Sequence, residues 1–270
     1  MITRCLLPPS TGSARAHARG EILERALERA LETDVQVVVA ESYDDLGQAL
    51  ARGDAEMAWV PAAVLAKLES THPGAARMAY TALRNGSASY RSAIVTHSHA
   101  RYERLEDLAG VNPAWADPLS LGGCVLATDH LRRHHVELGE PTYLGSHPAA
   151  LEAVLHRTAE FGAVSVTSMQ RQHVQSALTR NVGEAGAHRL KVLAFTDPAP
   201  NDAFVLTRAL TPSRTEELRP HLFETGPAHR ALCLAMETDG FTRADLDAYR
   251  RLAGLLPDDP GDRSTLRPTG

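Results

Sequence analysis

The sequence has few cysteines, no long apolar run and no excess of basic charge. Its three cysteines, Cys5, Cys124 and Cys233, are widely spaced and form no C-x-x-C pair, so we predict no disulfide framework. The net charge is -5 and the basic residues are dispersed, which argues against a nucleic-acid partner. No stretch approaches the roughly 18–20 apolar residues that a membrane span requires. A globular protein that neither inserts into a membrane nor binds nucleic acid is predicted.

The first residues also lack the pattern of an export signal. A secretory signal needs an apolar run of roughly 7–15 residues and a cleavage site with small side chains. Here the apolar run is only Cys5-Leu6-Leu7, and Pro8-Pro9 ends it. As written, the sequence predicts a cytoplasmic protein. The alternative is a periplasmic or extracellular protein whose leader has been removed.

The first part of the chain alternates between apolar strands and amphipathic helices. Val35–Ala40 is rich in β-branched residues and almost continuously apolar, which is typical of a strand buried on both faces of a parallel sheet. This alternation predicts a doubly wound sheet whose ligands bind at the carboxyl ends of its strands. The predicted strands are Ile2–Leu7, Val35–Ala40 and Met57–Val60, with helices from about residue 14 to 32 and from Ser42 to Gly53.

The pattern changes after residue 88. A strand is predicted at Tyr90–Thr96, and a glycine-rich loop, Asp117–Gly123, leads into a helix over Cys124–His135. The polar residues 257–270 predict a flexible tail. Further strands are predicted at Phe161–Val166, Lys191–Phe195 and Ala203–Thr207, and further helices at Pro148–Arg157 and near Thr211–Glu224, Ala228–Met236 and Ala244–Leu256.

The loop before Cys124 is the first candidate site. Gly122 and Gly123 let backbone N–H groups approach a ligand, and the helix that follows adds free donors and a positive dipole end. Ser120 adds a hydroxyl donor. The loop matches neither the phosphate-binding nor the dinucleotide-binding glycine motif, so no nucleotide cofactor is predicted. An ordinary helix cap with flexible glycines explains the same residues about as well.

His147 is the second candidate, because it lies between a strand end and a helix start and titrates near neutrality. Two catalytic alternatives are weaker. His130 and His134 have zinc-compatible spacing, but two adjacent arginines oppose a cation and no third ligand follows. A Cys124/His147 nucleophile pair is conceivable, although a small core cysteine is the better interpretation. We therefore predict no metal, no cofactor and no catalytic residues.

An ordered series of short motifs gives the chain a family resemblance. It resembles the phosphate/phosphonate-type substrate-binding proteins of ABC transporters, which have the type II periplasmic-binding-protein fold. The resemblance covers Ile2 to about Leu256. Its motifs lie in Leu46–Trp59, Tyr90–Val95, Leu105–Gly110, Asp117–Gly123, Gly145–Val154 and Pro198–Asp202.

The resemblance implies an α/β protein of two lobes joined by two hinge strands, with a ligand cleft between the lobes. The implied lobes are residues 1–88 with 198–270, and residues 89–197. It also implies that Tyr90, Ser120 and His147 hold a phosphonate, and that Asp202 meets an amino group on the ligand. The family loop usually reads Ser-Thr-Ser-Gly, whereas this chain has Ser120-Leu121-Gly122-Gly123 and so lacks two hydroxyl donors.

The predicted function is therefore that of a solute-binding protein that closes on a small anion, namely a phosphonate, phosphate or related organic anion. An ABC transporter permease is the implied partner. Leu121 and Val60 replace polar family residues, which favours an organic anion over bare phosphate. A cytoplasmic enzyme on the same fold, similar to menaquinone- or thiamine-pathway enzymes, and a cytoplasmic ligand sensor remain alternatives.

Overall fold

The chain folds as two compact units. The computed structural model describes residues 2–9, 13–118 and 120–256, with the side chains of residues 13–17 excepted. Unit 1 contains the described residues up to Ser89 together with Pro200–Ala253, and unit 2 contains Tyr90–Ala199. The lobe boundaries derived from the sequence stay a prediction. The tail predicted at residues 257–270 lies outside the described residues.

Helices and strands alternate through both units. The first part of unit 1 contains β1 (Thr3–Leu7), α1 (Ser13–Leu31), β2 (Val35–Val39), α2 (Tyr43–Arg52), β3 (Met57–Val60), α3 (Ala62–Thr71) and β4 (Ala76–Leu83). The chain continues through β5 (Ser89–His97), β6 (Pro113–Trp115), α4 (Leu126–Arg133), β7 (Thr142–Tyr143), α5 (His147–Leu155), β8 (Phe161–Val166), α6 (Arg171–Ala187) and β9 (Leu190–Phe195). It ends with β10 (Ala199–Pro200), β11 (Ala203–Thr207), α7 (Pro212–Phe223), α8 (Pro227–Met236), β12 (Gly240–Arg243) and α9 (Leu246–Ala253).

Local sequence signals explain where α2 begins and ends. The hydroxyl of Ser42 accepts a hydrogen bond from the backbone N–H of Asp45, which satisfies a donor that the first turn leaves free. Gly53 closes the helix with a φ of 82°, a left-handed conformation that glycine adopts without steric cost. Leu46 and Leu50 are fully buried, so the apolar face of α2 anchors it to unit 1.

The sheet of unit 1 is mixed rather than entirely parallel. Its strand order is β12-β4-β11-β3-β1-β2. As the β-α-β alternation predicted, β1 is parallel to both β2 and β3. The remainder of the sheet is antiparallel, because β11 returns from late in the chain and pairs antiparallel with β3 and β4. This pairing brings Ala203 opposite Val60, so Asp202 lies close to the carboxyl end of β3.

The sheet of unit 2 has a core on each face. Its strand order is β10-β5-β8-β6-β7, with β9 also paired to β5. Successive side chains of β5 and β8 alternate between the two faces. Ala93 and Val164 pack on one side with α5 and α6, whereas Ile94 and Ala163 pack on the other side with Trp115 and Leu131. The second face therefore carries the helix that follows the glycine loop.

None of the described helices is both long and apolar enough to cross a membrane. The cysteines Cys5 and Cys124 are buried as free thiols, and Cys233 is half-buried and free.

Candidate anion-binding site

Five of the six predicted ligand residues lie in unit 2, where three of them meet at the other two, the glycine pair Gly122 and Gly123. A Cβ atom at Gly123 would lie 2.7 Å from Cε1 of His147 and 2.8 Å from Oγ of Ser120. One at Gly122 would lie 3.2 Å from Cε2 of Tyr90. Glycine is required at both positions because the neighbouring side chains occupy the space that a side chain would need. Tyr90, Ser120 and His147 therefore converge on the loop.

Ser120 caps the helix that follows the loop. Its Oγ accepts a hydrogen bond from the backbone N–H of Gly123 at 3.2 Å, which leaves the hydroxyl hydrogen available for another acceptor. The first turn, Leu121–Val125, is π-helical, with the N–H of Leu126 bonded to the carbonyl of Leu121. Such wide turns occur frequently at functional sites. The turn continues directly into α4, so backbone donors and the positive dipole end are presented at the loop.

Two serines that the sequence motifs did not identify also flank Gly122. The Oγ of Ser92 donates to the carbonyl of Gly122 at 2.7 Å and so anchors the loop to β5. Ser165 lies directly opposite Ser92 on β8, and its Oγ is 1.9 Å from the place where a Cβ of Gly122 would stand. The available sequence signal was that Ser165 is a polar residue within the otherwise apolar strand Phe161–Val166.

His147 is held at the start of α5. Ser146 caps this helix by accepting the backbone N–H of Ala149, and Gly145 precedes the cap with a φ of 81°. Burial lowers the pKa of the His147 imidazole below its usual value, and the carbonyl of Ala163 has a smaller opposite effect. Its Nδ1 atom is buried and has no hydrogen-bond partner among the described residues. His147 is therefore a neutral imidazole near pH 7 with one ring nitrogen unpaired.

The arrangement is rich in donors. Hydroxyl groups of Ser120 and Ser165, the phenol of Tyr90 and the amides of the helix start surround the glycine pair, and the unpaired Nδ1 of His147 can donate once the ring is protonated. The loop also contains Asp117, whose exposed carboxylate lies at its beginning. Donors at a helix N-terminus stabilise an anion through hydrogen bonds and through the helix dipole. An arrangement of this kind is able to bind an anion.

Asp202, the sixth predicted residue, lies in unit 1 and has partners of its own. Both of its carboxylate oxygens accept hydrogen bonds from Arg84, at 2.6 Å and 3.0 Å, and Trp59 Nε1 donates to it at 2.6 Å. The guanidinium also donates to the carbonyl of Met236. Its predicted contact with a ligand amine stays a prediction, and because Arg84 already pairs with the carboxylate, we expect the contribution of such a contact to be small.

The catalytic alternatives gain no support from the geometry. Cys124 is fully buried in the core of unit 2, and burial raises the pKa of its thiol to about 12, so the thiolate is not available at neutral pH. The His134 ring bonds to the backbone carbonyl of His130 through Nδ1. Among the described residues, no group of three or more His, Cys, Asp or Glu side chains is placed to hold a metal ion.

Solved structures show the same fold at low sequence identity. The XAC2383 protein of Xanthomonas citri bound to chloride has a TM-score of 0.76 and 17% identity, covering 94% of this chain and 95% of that chain. PhnD1 of Prochlorococcus marinus in complex with methylphosphonate has a TM-score of 0.67 and 14% identity, covering 94% and 96%. A binding protein component of an ABC phosphonate transporter from Pseudomonas aeruginosa has a TM-score of 0.65 and 16% identity, covering 94% and 85%.

A two-unit α/β fold with a donor-rich loop defines this protein as a substrate-binding protein of the periplasmic-binding type. Residues 6–249 match the family described as "ABC transporter, phosphonate, periplasmic substrate-binding protein", and the chain belongs to that family. The predicted fold class and family are confirmed. So is the prediction of a solute-binding protein that resembles the binding component of an ABC transporter.

Proposed function

We propose that this protein binds a small phosphonate or a closely related oxyanion at the glycine loop of unit 2. The observation that carries the proposal is the convergence of Ser120, His147 and Tyr90 on Gly122 and Gly123. These groups offer hydrogen-bond donors beside a helix start, and charged acceptors form the stronger hydrogen bonds with such donors. The relatives with bound chloride and bound methylphosphonate support an anion as the ligand.

An organic anion fits the site better than bare phosphate does. Leu121 is apolar at a position where the related proteins have a polar residue, so the loop has fewer polar groups than a phosphate site requires. A phosphonate presents acceptor oxygens at one end and a carbon substituent at the other. This combination of groups matches the donors of the loop and its apolar Leu121.

The family description supports a role in transport and a periplasmic location. We propose that the loaded protein delivers its ligand to an ABC transporter permease. Deletion of the gene in the source organism should then abolish uptake of the ligand, and fractionation should recover the protein outside the cytoplasm. Uptake at the wild-type rate in the deletion strain would contradict a transport role.

Calorimetric titration with methylphosphonate, inorganic phosphate, sulfate and acetate tests the ligand class. We expect methylphosphonate to bind most tightly, and Ser120→Ala to weaken it by about tenfold or more, because a hydrogen bond to a charged group contributes about 1.5–3 kcal/mol. Ser176→Ala, on the exposed side of α6, is the matched control and should bind as wild type does. A cationic or neutral compound that binds more tightly than all four anions would overturn the proposal.

A further inference from the structure

Ser165 is the one polar residue of strand β8. Phe161 and Ala163 lie on the same face of the strand and are fully buried in the core beside α4. Alternation places Ser165 on that face too, at the carboxyl end of the row, where it is half-buried. A hydroxyl therefore takes the position that comes closest to the glycine loop.

The hydroxyl of Ser165 occupies the space beside the loop that a side chain at position 122 would fill. A Cβ at Gly122 would come within 1.9 Å of Ser165 Oγ and 3.0 Å of Ser165 Cβ. Gly122 does not have a positive φ, so its backbone conformation alone would accept another residue. The small size of residue 122 and the hydroxyl of residue 165 are thus spatially complementary.

The paired serines have different bonding. Ser92 Oγ donates its hydrogen to the carbonyl of Gly122, and this bond holds the loop in place. Ser165 is directly opposite Ser92, yet its Oγ makes no hydrogen bond to any of the described residues. A half-buried hydroxyl without a protein partner can donate a hydrogen bond to a ligand or a water molecule.

We infer that Ser165 is a ligand-binding residue, which supplies from strand β8 the hydroxyl donor that the loop itself lacks at position 122. This inference rests on the proposed function of the loop. With Ser120 on one side of the glycine pair and Ser165 on the other, a tetrahedral oxyanion can accept from both through different oxygens. A phosphonate has three such oxygens and a carboxylate two, so a phosphonate can accept from both serines and still accept from the helix amides, and Ser165 thereby favours a phosphonate.

Calorimetric titration of Ser165→Ala with methylphosphonate tests the inference directly. We expect binding to weaken by about 10- to 100-fold, the usual effect of losing a hydrogen bond to a charged acceptor. Binding of acetate should weaken less, and Ser176→Ala is again the control. If Ser120→Ala weakens methylphosphonate while Ser165→Ala binds as wild type, the role of Ser165 is wrong and the proposed site stands. If wild type binds no oxyanion, the proposed function itself fails.

Moving the hydroxyl between the two elements gives a second, independent test. The Gly122→Ser variant should bind methylphosphonate poorly because its side chain overlaps Ser165. The Ser165→Gly variant should bind it poorly because the donor is absent. The double variant Gly122→Ser/Ser165→Gly returns a hydroxyl to the same region and should recover binding to within about tenfold of wild type. The double variant Gly122→Ala/Ser165→Gly has the same backbone changes without the hydroxyl and should stay weak. Equal affinities for these two double variants would overturn the inference.

Discussion

Arg84 pairs with Asp202 through two hydrogen bonds, of 2.6 Å and 3.0 Å, across 118 positions of the chain. Both side chains are partly shielded from solvent, with 28% and 19% of their surfaces exposed. Bidentate geometry of this kind is the strongest arrangement that arginine forms with a carboxylate. The pair connects the end of β4 to the turn before β11, so it ties together segments that are distant in sequence.

Loss of one partner of this pair should destabilise unit 1. Asp202→Ala leaves a partly buried guanidinium and the indole N–H of Trp59 without their acceptor, and we expect a loss of about 2–3 kcal/mol in the free energy of unfolding. Urea denaturation measures it. The control is Asp54→Ala, which removes the more exposed pair with Arg52 and should cost less than about 1 kcal/mol. Equal effects of the two substitutions would show that the Arg84 pair is energetically unimportant.

The same pair bears on whether the ligand carries an amine. Because Arg84 already neutralises Asp202, we expect ethylphosphonate and 2-aminoethylphosphonate to bind within about fivefold of each other, since each factor of ten corresponds to about 1.4 kcal/mol. Competitive calorimetry determines the ratio. A preference of more than tenfold for the amino compound, abolished by Asp202→Asn, would instead show that Asp202 leaves Arg84 to bind the amine.

Anion binding should be linked to protonation of His147. Burial lowers the pKa of this imidazole in the free protein, and a nearby anion raises it, so binding takes up protons in the interval between the two values. Affinity should therefore rise as the pH falls through that interval and decline as the pH rises through it. Calorimetry of methylphosphonate in buffers of different ionisation enthalpy measures the proton uptake. His147→Gln should lose this component while keeping the part that comes from the ligand's own titration. Identical proton uptake by the two proteins would rule out a role for His147.

Stability of the ligand-free protein should fall in mildly acidic solution. The pKa values of His97, His130 and His147 are all lowered, with burial as the largest cause in each case. In the unfolded chain these groups titrate near 6.5, so below that pH the unfolded state binds more protons than the folded state. The free energy of unfolding should then decline from pH 7.5 to pH 5.5.

Urea midpoints across this range test the linkage. His147→Gln should have a shallower dependence on pH than wild type, because one of the buried imidazoles is removed. His156→Gln alters an exposed histidine and should leave the slope unchanged. A wild-type protein that is equally stable at pH 5.5 and pH 7.5 would contradict this prediction.

Local physics allowed much of the architecture to be predicted from the sequence. The Ser42 cap, the glycine at position 53 and the apolar face of α2 are signals contained in about a dozen residues. Short stretches of sequence likewise contain the signals for the apolar strands β1, β2 and β3 and for the glycine loop before α4. The positions of strand ends and helix starts also predicted that Tyr90, Ser120, His147 and Asp202 come together. The structure brings the first three to the glycine pair, and Asp202 lies in unit 1.

Only the tertiary structure decided which distant residues meet. The antiparallel insertion of β11 between β3 and β4 pairs residues more than a hundred positions apart, and no local pattern specifies that register. For the same reason the partners of Asp202 could not be predicted from the sequence, because Trp59 and Arg84 lie far from it in the chain. Ser92 and Ser165 both lie beside Gly122 because β5 and β8 pair in one register and alternate side chains share a face. The sequence by itself determined the elements and the donor groups of the loop, whereas strand pairing determined which donors surround it.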